Sequence, residues 1–387
     1  MKVGYFFQEM YFENNIEMAG YIDRKLPSSG YLTPLEVHSI FLEEKEEFFI
    51  NIFDLLSIPE GLPMIPIAVH THSAPRPDCV KEQIVHYSEI TGKNSKKLSS
   101  KLLFIEFGSF KTTGVCNLRT VREIKSIEGK ILVFRSERQT FGVICYPCHP
   151  TVLGTENTLY SSDLAGKFRE KLSSKFGFPF VFLNSYCGDV STHKTRLSRT
   201  SSEIERLGNL FASQIELENL KIIEPRDLNF EKMSIKIAIK NISLLEVPKD
   251  PRALPGYNLA MCRENLGKYS ESQIALLSIG SLKILLLPFE IFYETGLKLE
   301  KILREISNFN VVVCYALSYR PYVVPKNYSG TYEWYASPYS DEAEGEILKL
   351  VEKMVKGQKR TKNSGIVERN QYDTLDNLSG EKEKSEG

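Results

Sequence analysis

The sequence predicts an α/β or α+β architecture, a single large domain of mixed β-sheets covered by helices. Three observations lead there. Apolar runs of strand length alternate along the chain with segments of helical periodicity. Several of those runs are apolar throughout, as in strands buried on both faces, while one alternates strictly, as in a half-exposed strand. The chain has 387 residues, 42% apolar and 25% charged, enough for a sizeable core at ordinary globular composition.

Taken in order, residues 1–60 hold strand-like pieces such as Glu36–Leu42, broken by a Pro-Ser-Ser-Gly turn at 27–30. Met64–Val69 reads as a short buried strand, and 79–91 as a helix carrying His86 on its surface. Leu102–Phe107, Ile131–Arg135 and Phe141–Tyr146 read as strands. Ser161–Phe176 reads as a helix, with Leu164, Phe168 and Leu172 on one face and Ser161, Ser162 or Asp163 as its cap. Phe178–Leu183 is a buried strand, and 201–220 a helix with the stripe Ile204, Leu207, Leu210, Phe211 and Ile215. Met233–Leu245 supplies the alternating strand, and Pro248–Gly256 a loop. Ile274–Ile279 and Leu282–Leu287 form a hairpin around Gly280-Ser281. Phe289–Ile306 reads as a helix and Asn310–Ala316 as a last buried strand. From residue 357 the composition turns polar, which divides the chain into an ordered domain over 1–356 and a disordered tail over 357–387.

The charges balance, 49 basic against 49 acidic, and no basic block is interleaved with aromatics, so nucleic acid is not an expected partner. Residues 1–10 do not read as a signal peptide, and the most apolar stretch, 274–289, is too short and broken to span a bilayer. A soluble, cytoplasmic protein is expected. Its seven cysteines, at 79, 116, 145, 148, 187, 262 and 314, are then reduced thiols rather than a disulfide framework.

Residues capable of chemistry cluster just after the apolar strands. His70 and His72 follow Met64–Val69, and, two apart on an extended segment, point the same way. His149 follows Phe141–Tyr146; Asp189 and Ser191 follow Phe178–Leu183; Glu290 follows Leu282–Leu287; Tyr319 and Tyr322 follow the last strand. Ligand sites in α/β sheets lie outside the carboxyl ends of strands. Strands sharing one orientation would bring these loops to one crevice. Two histidines, a carboxylate and one more oxygen suit catalytic zinc. A competing pattern, Cys145-Tyr146-Pro147-Cys148-His149, matches c-type haem attachment and thiol redox motifs. It closes a strand rather than opening a helix and lacks an export signal, so haem is not expected.

His70-Thr71-His72-Ser73, Cys148-His149-Pro150 with Asn157–Asp163 close behind, Gly188-Asp189-Val190-Ser191, Pro288-Phe289-Glu290, and Tyr319-Arg320-Pro321-Tyr322 with Tyr332-Glu333 occur in an order that resembles the catalytic domain of the neutral/alkaline (non-lysosomal) ceramidases. The resemblance implies hydrolysis of the amide of an N-acyl, lipid-like substrate with one zinc ion per chain. It implies His70, His149, Glu290 and Tyr322 as zinc ligands and His72 as general acid/base. Arg119 would position substrate, Tyr332 would donate to the oxyanion, and Ser191 matches a serine once proposed as nucleophile. No adjacent base is evident for Ser191, which favours activated water. The pattern departs from the family at Thr192-His193, at Phe289, and at Val323-Val324-Pro325, and a C-terminal immunoglobulin-like domain like the family's is not expected. His193 is expected at the surface. Three other readings stay open: a zinc esterase or other amidase on the same site, a metal-binding protein without catalysis, and a thiol redox protein using Cys145 and Cys148. Neither the substrate nor the oligomeric state follows from the sequence.

Overall fold

In the computed structural model of the protein, residues 1–62, 64–263 and 267–372 are described. The expected architecture is present: mixed sheets flanked by helices. The larger sheet has nine strands. Its path runs Phe180–Asn184, Thr140–Tyr146, Ile127–Ser136, Ser100–Thr112, Lys2–Met10, Leu35–Glu43, Glu47–Phe53, Ile65–Ala68, with Lys221–Ile223 added beside Ser100–Thr112. The middle is antiparallel. The two ends are parallel pairs, Phe180–Asn184 with Thr140–Tyr146 and Ile65–Ala68 with Glu47–Phe53. Those pairs contain the wholly apolar runs, as parallel strands covered on both faces require.

A second sheet of four strands contains Asn229–Ala238, Tyr269–Ile279, Leu282–Leu286 and Asn310–Val313. The expected hairpin is present: Ile279 pairs with Leu282 around Gly280, whose φ of 58° suits a tight turn. The inner faces of the two sheets meet. Ile40, Ile52 and Leu132 from one and Leu277, Ile284 and Val311 from the other line an enclosed apolar cavity of about 30 Å³.

Helices cover the outer faces. Lys81–Lys97 lies over Lys2–Met10 and Leu35–Glu43, close enough that a Cβ at Gly4 would overlap the Ser95 carbonyl. Asp163–Phe176 and Ser201–Ser213 pack on each other through Phe168 and Phe211, whose ring centroids are 3.9 Å apart. Arg169 anchors the first of these to the sheet. Its Nη1 and Nη2 donate to the two carboxylate oxygens of buried Asp54, each at 2.7 Å, and Nη2 also reaches Glu36 at 2.9 Å. Asp54 leads directly into Leu55 and Leu56, whose carbonyls support the site below.

Four boundaries differ from the sequence reading. Phe289–Ile291 is a short strand, and the helix begins only at Tyr293. Parallel pairing with Arg320–Val323, 30 residues on, holds those three residues extended, a partner that local periodicity does not reveal. The alternating strand is Asn229–Ala238 rather than Met233–Leu245, and the helix from 201 ends at Ser213. Residues 254–261, within and just after the expected loop, form a short helix, Leu254–Met261.

The helix Ala343–Tyr372 passes residue 357, where the composition turns polar. Ile347, Val351, Met354 and Val355 bury one face of it. Once that stripe has nucleated the helix, charged helix formers propagate it cheaply. The rest of the expected tail, 373–387, lies outside the described residues. Among the described residues no helix is long and apolar enough to cross a membrane.

Candidate metal centre

The carboxyl ends of strands from both sheets converge. The segment after Asn310–Val313 is the seam: Ala68 N–H donates to Tyr315 O at 3.0 Å, Ala316 N–H to Leu287 O at 3.0 Å, and Cys314 N–H to Asn184 O at 3.0 Å. His70, His149 and Glu290 thereby reach one buried point, each no more than 2% exposed.

His70 and His149 are oriented in the same manner. Nδ1–H of His70 donates to Leu56 O at 2.8 Å, and Nδ1–H of His149 donates to Cys187 O at 2.7 Å. Each bond fixes the tautomer and aims a lone pair on Nε2 inward, the usual support of a metal-bound imidazole. Both Nε2 atoms face a single oxygen, Oε2 of Glu290, at 3.5 Å from His70 and 3.2 Å from His149. The other oxygen of Glu290 accepts from the Tyr319 hydroxyl at 2.6 Å. Burial pushes His149 down, to about 4, and the Arg119 guanidinium adds to that, so its ring is neutral at pH 7. Burial acts to raise Glu290, but the imidazoles around it hold it well below the usual carboxylate range. Acceptors from three side chains thus converge, an arrangement that a divalent cation satisfies.

His70 sits at φ 70°, a left-handed conformation uncommon for a residue with a Cβ. Its N–H donates to Leu55 O at 2.9 Å, and its ring stacks on buried Tyr315 with centroids 4.0 Å apart. Strain of this kind persists where the surroundings over-determine it.

His72 joins the cluster differently. The ligand atoms of His70, His72 and His149 all lie within 4.8 Å of one another, a group that could hold a metal ion. Nε2 of His72 is 3.3 Å from Nε2 of His70. Its Nδ1, however, is buried with no hydrogen-bond partner among the described residues, so no carbonyl locks its tautomer. Burial, then the neighbouring His70 and His149, hold its pKa well below the ordinary value. Tyr21 meets the ring edge-on at 5.0 Å, and Arg24 donates to the His72 carbonyl at 2.9 Å. Gly20, at φ 110°, lies so near that a Cβ would be 2.6 Å from the ring.

Tyr322 lies opposite Glu290 in the parallel pair of short strands, and its ring stacks near His149 with centroids 6.3 Å apart. Burial raises its hydroxyl well above the ordinary range, against the pull of the neighbouring Arg119 guanidinium. Tyr332 opens the helix Tyr332–Ala336 and meets Tyr322 edge-on at 6.5 Å. Burial pushes its hydroxyl up to about 12, so it remains a donor at neutral pH. Arg119 donates from Nη1 to Glu333 at 2.8 Å and from Nε to Ser191 Oγ at 3.1 Å.

Ser191 Oγ also accepts from the His193 N–H at 3.3 Å, and no imidazole or carboxylate is hydrogen-bonded to it among the described residues. The His193 side chain is exposed, as expected. Asp189 serves the fold: its Oδ1 accepts from Tyr293 N–H at 2.8 Å, satisfying the first turn of the helix Tyr293–Leu303.

Cys145 and Cys148 are not paired: the first thiol donates to Val312 O, the second to His149 O. Burial pushes Cys145 up to about 12 and raises Cys148 well above the ordinary thiol range, which withholds the thiolate that redox exchange requires.

Sequence reasoning left three neighbours unassigned. Tyr315 and Tyr21 carry no local signal. Asn184 carries a weak one, a polar residue ending the otherwise apolar run Phe-Val-Phe-Leu.

No family model matches the sequence, and no curated protein matches it. Solved structures do match its fold. The neutral ceramidase from Pseudomonas aeruginosa superposes with a TM-score of 0.72 at 14% identity, over 92% of this chain and 74% of that one. A ceramidase complexed with C2 superposes with a TM-score of 0.72 at 13% identity, over 93% and 75%. At this identity the likeness is one of architecture: the chain adopts the neutral ceramidase fold over 92% of its length.

Proposed function

We propose that this chain is a zinc-dependent amidohydrolase of ceramidase type, cleaving a linear amide in an N-acyl, lipid-like substrate. The carrying observation is the convergence of the His70 and His149 Nε2 atoms on Glu290 Oε2, with both Nδ1 atoms tied to carbonyls. The shared fold with neutral ceramidases supports the same reading. His70, His149 and Glu290 would hold the ion, with Tyr322 as the fourth ligand. Bound zinc polarises a carbonyl and makes hydroxide available near neutral pH.

The protein's own groups divide the remaining work. His72, beside the ligands and with Nδ1 unclaimed, carries the proton to the departing amine. Arg119 and Tyr332 supply fixed donors for the oxyanion that develops on the amide, a contribution worth several kcal/mol where one such donor is about 3. Arg119 is itself held by Glu333. Ser191 helps to position Arg119 rather than attacking the substrate, since its oxygen faces two donors and no base. Residues 1–356 form the catalytic unit.

Metal analysis with a substrate panel tests this. One zinc per chain is expected, lost in His70→Ala and Glu290→Ala and kept in Cys145→Ser. N-acylsphingosines and simpler N-acyl amides should be hydrolysed, and a chelator should abolish turnover. Protein that holds no metal and tolerates both ligand changes would overturn the reading. Zinc-bound protein that cleaves only esters would reassign it to an esterase.

A further inference from the structure

We propose that Asn184 is a positioning residue that sets the separation of His70 and His149. The proposal rests on the metal reading of the site. Asn184 ends the strand Phe180–Asn184 and is completely buried. Its Nδ2 donates to Val69 O at 3.0 Å and to Cys148 O at 2.9 Å. Its Oδ1 accepts from Cys148 N–H at 3.2 Å. Val69 immediately precedes His70, and Cys148 immediately precedes His149. The Asn184 backbone carbonyl accepts from Cys314 N–H at 3.0 Å, and Cys314 precedes Tyr315, on which His70 stacks. One residue thus grips the peptide before each imidazole and before the ring that supports one of them.

The side-chain type follows from this duty. Two carbonyls need donors and one N–H needs an acceptor, at the reach of a single methylene. Only a primary amide offers both, and its orientation is dictated by those partners. Aspartate keeps the shape and the acceptor but sets a carboxylate against two carbonyls. Glutamine adds a methylene in a site with no room. Val69 and Cys148 lie just beyond strands that are not adjacent in the larger sheet, since Ile65–Ala68 ends its path and Thr140–Tyr146 is second from the other end, beside Phe180–Asn184. Asn184 is therefore a direct tie between the two ends of that sheet, at the level of the ligands. Small shifts at either peptide pass straight to the next residue, and second-sphere partners of this kind typically alter metal affinity 10- to 100-fold.

The test compares Asn184→Asp with Ser185→Ala. Ser185 is the next residue, also buried, and its hydroxyl donates to Val312 O at 2.6 Å rather than to the peptides that precede His70 and His149. Zinc affinity is read by competition with a chelating dye, geometry by the visible spectrum of the Co²⁺-loaded protein, and stability by the thermal midpoint of the metal-free form. Asn184→Asp should lose about tenfold or more in zinc affinity and change the Co²⁺ band. Ser185→Ala should lower the midpoint and keep both metal readouts. Wild-type affinity and spectrum in Asn184→Asp, or equal losses in Ser185→Ala, would overturn the proposal. Should Asn184→Asp not fold, Asn184→Ser, smaller and uncharged, decides by the same criteria. Zinc-loaded wild type with unchanged variants defeats this proposal alone; wild type that takes no zinc defeats the functional reading as well.

Discussion

The Tyr319 hydroxyl donates to one carboxylate oxygen of Glu290 at 2.6 Å, which leaves the other oxygen to face His70 and His149. Hydrogen bonds to buried charged groups contribute about 1.5–3 kcal/mol, and this one also fixes which oxygen is presented. Tyr319→Phe removes the donor and keeps the ring. We expect zinc affinity to fall by about 10- to 100-fold, measured by chelator competition. Unchanged affinity would mean that strand pairing alone orients Glu290.

Gly20 bears on the proton carrier rather than on the ligands. Its φ of 110° and the proximity of the His72 ring leave no place for a Cβ. Gly20→Ala should displace His72, lowering kcat by about 10²-fold, the scale of a misplaced general acid, while the protein keeps its zinc. Loss of zinc together with activity would count against the separate roles given to His70 and His72.

Ser191→Ala discriminates between nucleophiles. Arg119 and the His193 N–H already occupy the serine oxygen. Removing it frees Arg119 to shift, and a drop of about tenfold in kcat/KM is expected, near 1.4 kcal/mol. A serine nucleophile would instead require loss of essentially all turnover in the variant, and an acyl-enzyme on Ser191 trapped from the wild type by rapid quench and mass spectrometry.

A different part of the fold governs acid stability. Burial works to raise the Glu36 carboxyl, yet the Arg169 guanidinium and His38 overcome it and bring it down to about 2. A carboxylate depressed in the folded state stabilises the fold fully above its unfolded pKa, near 4.3, and that contribution is lost as pH falls towards about 2. Urea unfolding should show declining stability across that window. In Arg169→Met the contribution of Glu36 to the decline should shrink. That variant should also be less stable by about 3–5 kcal/mol at neutral pH, because Asp54 is left buried and unpaired.

The cavity between the sheets offers a gain. Val311 lines it, and its volume of about 30 Å³ approximates one methylene. Val311→Ile should stabilise the protein by up to about 0.8 kcal/mol, read as a higher urea midpoint at unchanged m. A lower midpoint would show that the added carbon cannot reach the space.

The histidines and Glu290 were legible because each follows an apolar run, and such runs are visible without knowing their partners. Their shared point was not derivable from local pattern, since it depends on the Cys314–Leu317 seam joining the two sheets. The extended state of Phe289–Ile291 was hidden for a similar reason: Arg320–Val323, its partner, is remote in sequence. His72 was expected at the metal, but its distinct tautomeric freedom emerges only from the absence of a carbonyl beside Nδ1. Asn184 had no motif to announce it, because what matters is the identity of the peptides it touches.

Five of the seven cysteines are buried, and only Cys79 and Cys262 reach the surface. A thiol reagent added to the intact protein should therefore label two positions rapidly and the other five only on unfolding. The molecule carries its own reporter of conformational integrity, spread from Cys145 in the larger sheet to Cys314 at the seam. Counting labelled sites by mass would separate variants that have lost a ligand from variants that have lost the fold, without any substrate.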